Sequence, residues 1–310
     1  MAFTAADVKK LREMTNVGMM DCKRALTEAD GDFDRAIELL REKGLAKAAK
    51  KAGRIAAEGM VCAKVCDKCG AGAIIEVNSE TDFVAKNADF QQFVSDLATV
   101  VMQKNPADLD ALKECDMNGV TVQAALQDKI LTIGENIQIR RFARFDDTTV
   151  NASYTHMGGV IGVLVALEVS DNLKGNAEVV ALGRDIGMQA AAMHPAFMDK
   201  SEVDDATLAK EKEILLAQAM EENKNAAKPK PEQIIHRMVD GRIGKYYEEN
   251  CLLQQAFVKE PKVSVEAHIA AVAKELGGSI KLVKCVRFEK GEGIEKKQDD
   301  FAAEVASMAK

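Results

Sequence analysis

The pair of residues in this chain best suited to act on another molecule is Asp82-Phe83. A short apolar run, Ala73-Ile74-Ile75-Glu76-Val77, reads as a strand, and the polar stretch 78–87 follows it. A helical pattern of Phe90, Phe93, Val94 and Leu97 starts soon afterwards. Asp82 and Phe83 therefore fall at a strand-to-helix corner, where side chains project rather than pack. An acid beside an aromatic at such a corner suits insertion into a partner: the ring fills an apolar slot and the carboxylate acts on local charge. Position alone leaves a second reading open, in which Phe83 is the first core residue of the following helix.

Cys66-Asp67-Lys68-Cys69-Gly70, with Cys62 upstream on the same strand face, is the other pattern able to do chemistry. A Cys-x-x-Cys-Gly turn is half of a zinc knuckle, but a closed site needs a fourth ligand. The sequence holds no second Cys-x-x-Cys and no His pair. A redox pair is the other chemical reading. Ordinary hairpin thiols, with no metal, are the expectation.

Other catalytic signatures are missing. No Gly-x-x-x-x-Gly-Lys-Ser/Thr phosphate loop occurs. The run from His156 to Gly162 lacks the Gly-x-Gly-x-x-Gly spacing, and Val163-Leu164-Val165-Ala166-Leu167 continues it as strand where a dinucleotide loop opens a helix. It reads as a hairpin turn. The four histidines show no His-Glu-x-x-His spacing, and no nucleophile-plus-base arrangement is visible. The reading is of a protein that is not an enzyme and uses no cofactor.

Three elements must position these residues. The first fifty residues read as three short helices, with apolar faces Val8/Leu11/Met14, then Met19/Cys22/Ala25/Leu26, then Phe33/Ile37/Leu40. Asp32 is placed to cap the third helix and Gly44 to lie past its end. The unit resembles a ubiquitin-associated domain, and it is small enough to leave an apolar edge for a partner. The basic, Ala-rich stretch 47–54 follows as a linker.

A duplication comes next. Thr121-Val122-x-Ala124 leads through a helical stretch to a glycine and the strand ending Arg144-Phe145. Ser264-Val265-x-Ala267 does the same toward Arg287-Phe288, and the two segments align without a gap. A strand hairpin and a helix precede each. The pattern predicts two duplicated α+β subdomains, each a three-stranded antiparallel sheet covered by helices. The second is interrupted by an antiparallel coiled-coil hairpin over 204–246, with Leu208, Leu215 and Ala219 on one helix and Ile234, Ile235, Met238 and Ile243 on the other. The domains are thus 1–54, the three-helix unit with its linker; 55–146, the first core subdomain; 147–290, the second; and 291–310, a C-terminal module.

Composition narrows the class. The 310 residues, 47% apolar and 29% charged, suit a globular protein with more than one core. A net charge of -7, few aromatics and no Trp argue against binding nucleic acid. No apolar run has the length of a membrane span, and the N-terminus lacks a secretory pattern. Seven irregularly spaced cysteines fit a reducing, cytoplasmic location.

Three motifs together resemble the elongation factor Ts family. They are Glu76-Val77-Asn78-x-x-Thr81-Asp82-Phe83-Val84-Ala85-Lys86; Leu11-Arg12-Glu13-Met14-Thr15 with Gly18-Met19-Met20-Asp21-Cys22-Lys23; and a C-terminal run of Gly291-Glu292-Gly293-Ile294 followed by Asp300-Phe301. The likeness runs along essentially the whole chain. It implies a guanine nucleotide exchange factor for translation elongation and protein biosynthesis, which binds elongation factor Tu loaded with GDP and promotes GDP release. On that likeness Thr81, Asp82, Phe83 and Val84 form the contact segment. Asp82 and Phe83 enter beside the magnesium site, and Phe83 pries apart two helices of the partner. Arg12, Met19 and Met20 match a segment that grips the nucleotide domain, and Ile133, Gly134 and His156 match loop positions that reach it. The assembly it allows is a dimer of heterodimers. Two departures are local: the Cys66-Cys69 turn, and Asn87 where the family commonly has an acid. The alternative class is a non-catalytic adaptor or interaction scaffold with a ubiquitin-associated-like module.

Overall fold

In the computed structural model residues 3–15, 17–225 and 229–295 are described, apart from the side chains of 45–50. The Asp300-Phe301 run, and with it most of the expected 291–310 module, lies outside the described residues.

Helices α1 (Ala5–Thr15), α2 (Met19–Glu28) and α3 (Phe33–Lys51) come first and share a core of Val8, Leu11, Val17, Cys22, Ala25, Leu26 and Leu40. The Asp32 carboxylate accepts from Arg35 N at 2.9 Å and starts α3. Three expectations need correction here. Met14 and Met19, assigned to the internal faces, are exposed. Gly44 does not end α3, which runs on to Lys51. A Cβ at Gly44 would stand 3.2 Å from Leu131 Cδ2, so the glycine marks the place where α3 lies against a helix of the next unit. The stretch read as a linker is therefore largely the end of α3, and it docks the three-helix unit on the first subdomain.

That subdomain comprises β1 (Glu58–Val65), β2 (Gly72–Ser79), α4 (Asp82–Ala85), α5 (Ala88–Lys104), α6 (Leu109–Glu114), β3 (Asp116–Met117), β4 (Val120–Thr121), α7 (Val122–Ile133) and β5 (Gln138–Phe145). The second begins with β6 (Val150–His156), β7 (Ile161–Val169) and α8 (Ala177–Met193). It closes with β8 (Ala256–Phe257), β9 (Glu260–Ser264), α11 (Val265–Glu275) and β10 (Ile280–Glu289), after the inserted helices α9 (Asp205–Lys224) and α10 (Glu232–Asn250). The three-stranded sheets have the orders β1-β2-β5 and β10-β7-β6, with every neighbouring pair antiparallel. Each has its second strand in the middle, as a duplication requires. The caps repeat as well: Thr121 and Ser264 accept from Ala124 N and Ala267 N to open α7 and α11, and Asn87 and Asn176 open α5 and α8. The small hairpins β3–β4 and β8–β9 are too short to have shown in the apolar pattern.

Every residue of β2 is buried. Ala73, Ile75 and Val77 meet the helices, packing with Phe90, Phe93, Val94 and Leu97 of α5. Ile74, on the opposite face, joins Val61, Ala63 and Phe145 against Leu164, Ala166 and Phe288 of the second sheet. The core is thus four layers: helices, sheet, sheet, helices. The two sheets approach closely, since a Cβ at Gly162 would fall 2.5 Å from Val61 Cγ1. The Val61 N–H also donates to Gly159 O at 2.8 Å, pinning the β6–β7 turn to β1.

The inserted helices α9 and α10 pack on each other along Leu215, Leu216, Ala219, Met220, Ile235 and Val239. Ile234, expected on this seam, is exposed, and Val239 takes an inward place instead. No helix among the described residues is long and apolar enough to cross a membrane.

Candidate functional site

Strand β2 ends at Ser79, and the chain turns through Glu80 and Thr81 into the single turn of α4. So short a helix has no cooperative stability of its own, so other residues must hold its entry. Glu135 does this from the turn after α7. Its Oε2 accepts from the N–H groups of Glu80 and Thr81, both at 3.0 Å, and its Oε1 from Thr81 Oγ1 at 2.6 Å. Glu80 returns the contact, with Oε1 accepting from Asn136 N at 2.6 Å. Asn136 Nδ2 reaches Arg54 O at 2.7 Å, and Lys51 Nζ donates to Gly134 O. Charge-assisted bonds of this kind are the stronger class, so the corner is rigid at its base.

On that base Phe83 projects, with 79% of its surface exposed. The reading of Phe83 as a core residue is set aside by this placement. Val84, expected with its neighbours at the contact surface, is instead turned inward at 8% exposure and packs in the first subdomain's core, where it anchors α4. Thr81 is half-buried and spent on Glu135. Asp82 stays partly open and pairs with Lys86 at 2.6 Å one helical turn on. The Lys86 ammonium, by hydrogen bond and by charge, with Lys290 assisting, holds the Asp82 carboxyl below the ordinary carboxylate range.

A groove of about 490 Å³ runs beside the ring, lined by Phe83, Val84, Asp128, Lys129, Thr132 and Ile133 among others. Phe83 and Ile133 thus share one surface. Gly134 adjoins it as the left-handed cap of α7, φ 86°, a conformation that favours glycine. His156 sits at the exposed tip of the β6–β7 turn, stacked at 6.1 Å on Tyr154, whose hydroxyl lies 3.2 Å from His156 Nδ1. That turn reaches the corner's side of the molecule indirectly: Val160 O accepts from Lys290 N at 2.9 Å, and the Lys290 side chain pairs with Glu58 and acts on Asp82. Arg12, Met19 and Met20 are separate. They are exposed on α1 and α2, as is Met14.

Two groups that position the site were not read from the sequence as doing so. Glu135 was one, and its only local signal was an acid after a helix-ending glycine. Glu76 was the other. Within β2 it is wholly buried, with Oε1 accepting from Arg140 Nη1 at 3.0 Å and Gly291 N at 2.8 Å, and Oε2 from Arg141 Nε at 2.6 Å. Arg141 Nη2 continues to Glu292 Oε2 at 2.9 Å. The Gly291-Glu292 run is thereby tied to the strand that leads into the corner. A charge in an otherwise apolar strand was the available clue.

Among the described residues no group of three or more His, Cys, Asp and Glu is arranged to hold a metal ion. The groove presents an open apolar ring beside the polar side chains of Asp128, Lys129 and Thr132.

Comparison with known proteins agrees with the motifs. A family model described as elongation factor TS matches residues 80–292. Elongation factor Ts of Clostridioides difficile is 48% identical over 308 residues, covering 99% of each chain. That of Syntrophotalea carbinolica is 48% identical over 314 residues and the full length of both. That of Trichlorobacter lovleyi is 47% identical over 315 residues, covering 100% of this chain and 99% of its own.

Proposed function

The chain belongs to the elongation factor Ts family, and we propose that it is a guanine nucleotide exchange factor that binds elongation factor Tu loaded with GDP and promotes GDP release. The observation that carries this reading is Phe83: a large apolar ring, 79% exposed, on a corner held by charged hydrogen bonds. Leaving such a ring in water forgoes the roughly 2 kcal/mol that its burial would contribute, and a partner's apolar slot recovers it.

The mechanism is displacement. Tight nucleotide binding needs a preformed cradle in the partner. A surface that binds the distorted cradle better than the intact one weakens nucleotide by the same coupling free energy. Each tenfold loss of nucleotide affinity requires about 1.4 kcal/mol of such differential binding. Phe83 supplies the wedge. Asp82, kept ionised by Lys86 and Lys290, brings a negative charge to a site where a nucleotide-bound cation would otherwise be held. Ile133 and Gly134 extend the contact along the groove, and Arg12, Met19 and Met20 form a second grip on the same partner. No covalent step is involved and no cofactor of its own is required. By reciprocity, GTP binding to the partner drives release of this protein.

The test is release of fluorescent GDP from elongation factor Tu, with and without the full chain. Acceleration that saturates with concentration supports exchange. No acceleration at concentrations that bind the partner would leave an adaptor without effect on nucleotide.

A further inference from the structure

The Cys-x-x-Cys turn between β1 and β2 has no part in the exchange reading, yet it is a built feature. Cys66 N donates to Ala71 O and Gly70 N to Cys66 O, both at 2.8 Å, closing the loop on itself. This folds Cys69 back so that its N–H points at Cys66 Sγ, 3.4 Å away. Cys69 is exposed and Cys66 half-buried. Cys66 opens onto a cavity of about 440 Å³ whose wall carries Asp67 and Asp147 as well as Lys174 and Arg184, so a small molecule has access to the thiol.

The turn is also fastened to the second subdomain. Asn151 Nδ2, from β6, donates to Gly70 O at 2.8 Å and to Asp146 O at 2.5 Å. The dithiol therefore sits on the junction between the two halves of the core.

The chemistry separates this pair from the other cysteines. Hydrogen bonds from the Cys69 side chain, then from the backbone N–H groups of Cys69 and Lys68, hold the Cys66 thiol below its ordinary range. Burial instead pushes up the thiols of Cys22, Cys62 and Cys251, and that of Cys285 to about 12. Cys62 is thereby a poor third ligand, consistent with the lack of any three-residue metal cluster among the described residues.

We propose that Cys66 and Cys69 form a reversible disulfide by exchange with a small-molecule disulfide, and that this pair is a redox-responsive site independent of the exchange function. The Cys66 thiolate attacks one sulfur of the external disulfide, whose S–S bond breaks and expels one thiolate, leaving a mixed disulfide on Cys66. Cys69 then loses its proton to solvent and attacks Cys66 Sγ, expelling the second thiolate. Two cysteine thiols are oxidised, one external disulfide is reduced to two thiols, and no other electron acceptor is needed. Transient, sensing disulfides of this kind are the sort found in reducing compartments.

The test equilibrates the full chain with oxidised and reduced glutathione over a range of ratios, followed by acid quenching, alkylation and peptide mapping. Cys66 and Cys69 are expected to lose alkylation together in one disulfide-linked peptide, and to regain it when reduced glutathione is restored. In Cys69→Ser, tolerated because the position is exposed, Cys66 should be trapped as the glutathione mixed disulfide. In Cys66→Ser, Cys69 should stay free. Full alkylation of both cysteines at the most oxidising ratio would overturn the proposal, as would stable separate glutathione adducts on the unsubstituted chain.

Discussion

Glu80 and Glu135 hold each other's turns. The carboxylate of Glu135 accepts from the Glu80 and Thr81 N–H groups, and the carboxylate of Glu80 accepts from the N–H of Asn136, next to Glu135. The two residues lie 55 positions apart. Their crossed bonds fix the strand-to-helix corner from which Phe83 projects, and fix it to the turn that carries Ile133 and Gly134.

Replacing Glu135 by Ala leaves two N–H groups and the Thr81 hydroxyl without their acceptor. Bonds to a charged group contribute about 1.5–3 kcal/mol, and partial exposure puts this cluster at the lower end. The expected outcome in urea unfolding is a loss of about 2 kcal/mol. Exchange should fall roughly tenfold, because a 1.4 kcal/mol loss of differential binding has that effect. Glu135→Gln should recover part of both. Exchange unchanged in Glu135→Ala would show that the corner does not need its brace.

Phe83→Ala should separate function from fold. The ring is exposed and makes little of the core, so unfolding free energy should change by no more than about 0.5 kcal/mol. GDP release from elongation factor Tu should drop by at least about tenfold. A variant that exchanges at the normal rate would remove the wedge from the mechanism.

Glu76→Ala tests the buried network. Removing the carboxylate takes away the ion-pair partner of Arg140 and leaves Arg141 with Glu292, and both arginines are about a third exposed, so the loss should be near the lower bound of about 3 kcal/mol for breaking a buried ion pair. It also frees Gly291 N. Hydrogen exchange should show faster opening of 289–293 than of α5. Equal protection in both segments would mean that Glu76 does not hold the C-terminal run.

Asp82 should titrate below 3.8, its unperturbed value. Its folded-state pKa is depressed, so its contribution to stability is present above the unfolded value and fades as pH falls through the lower folded one. Carboxyl-detected NMR titration reads the midpoint directly. Lys86→Met should move it back upward, since the Lys86 hydrogen bond is the largest cause of the shift. A midpoint that ignores Lys86 would dissociate the pair.

Much of this was legible along the chain because its physics is local. Thr121, Ser264 and Asn87 cap helices through side-chain bonds to N–H groups two or three residues on, so the cap and its target appear together in the sequence. The duplication, the strand from Ala73 to Val77 and the corner at Asp82 follow from spacing alone. What spacing could not decide is which way a corner residue turns. Phe83 outward and Val84 inward depend on where α5 and the sheet leave room. Gly44 shows the same limit. Its local chemistry says that a helix ends, yet the helix continues, and the glycine lies where α3 packs closely on Leu131 of a distant helix. Glu76, Arg140 and Gly291 lie far apart in the chain; pairing of β2 with β5 brings Arg140 within hydrogen-bond reach, and stacking of the second sheet brings Gly291. Short-range bonds write themselves into adjacent letters; the contacts that fix the site are made by distant segments, whose meeting is set by sheet register and interlayer packing.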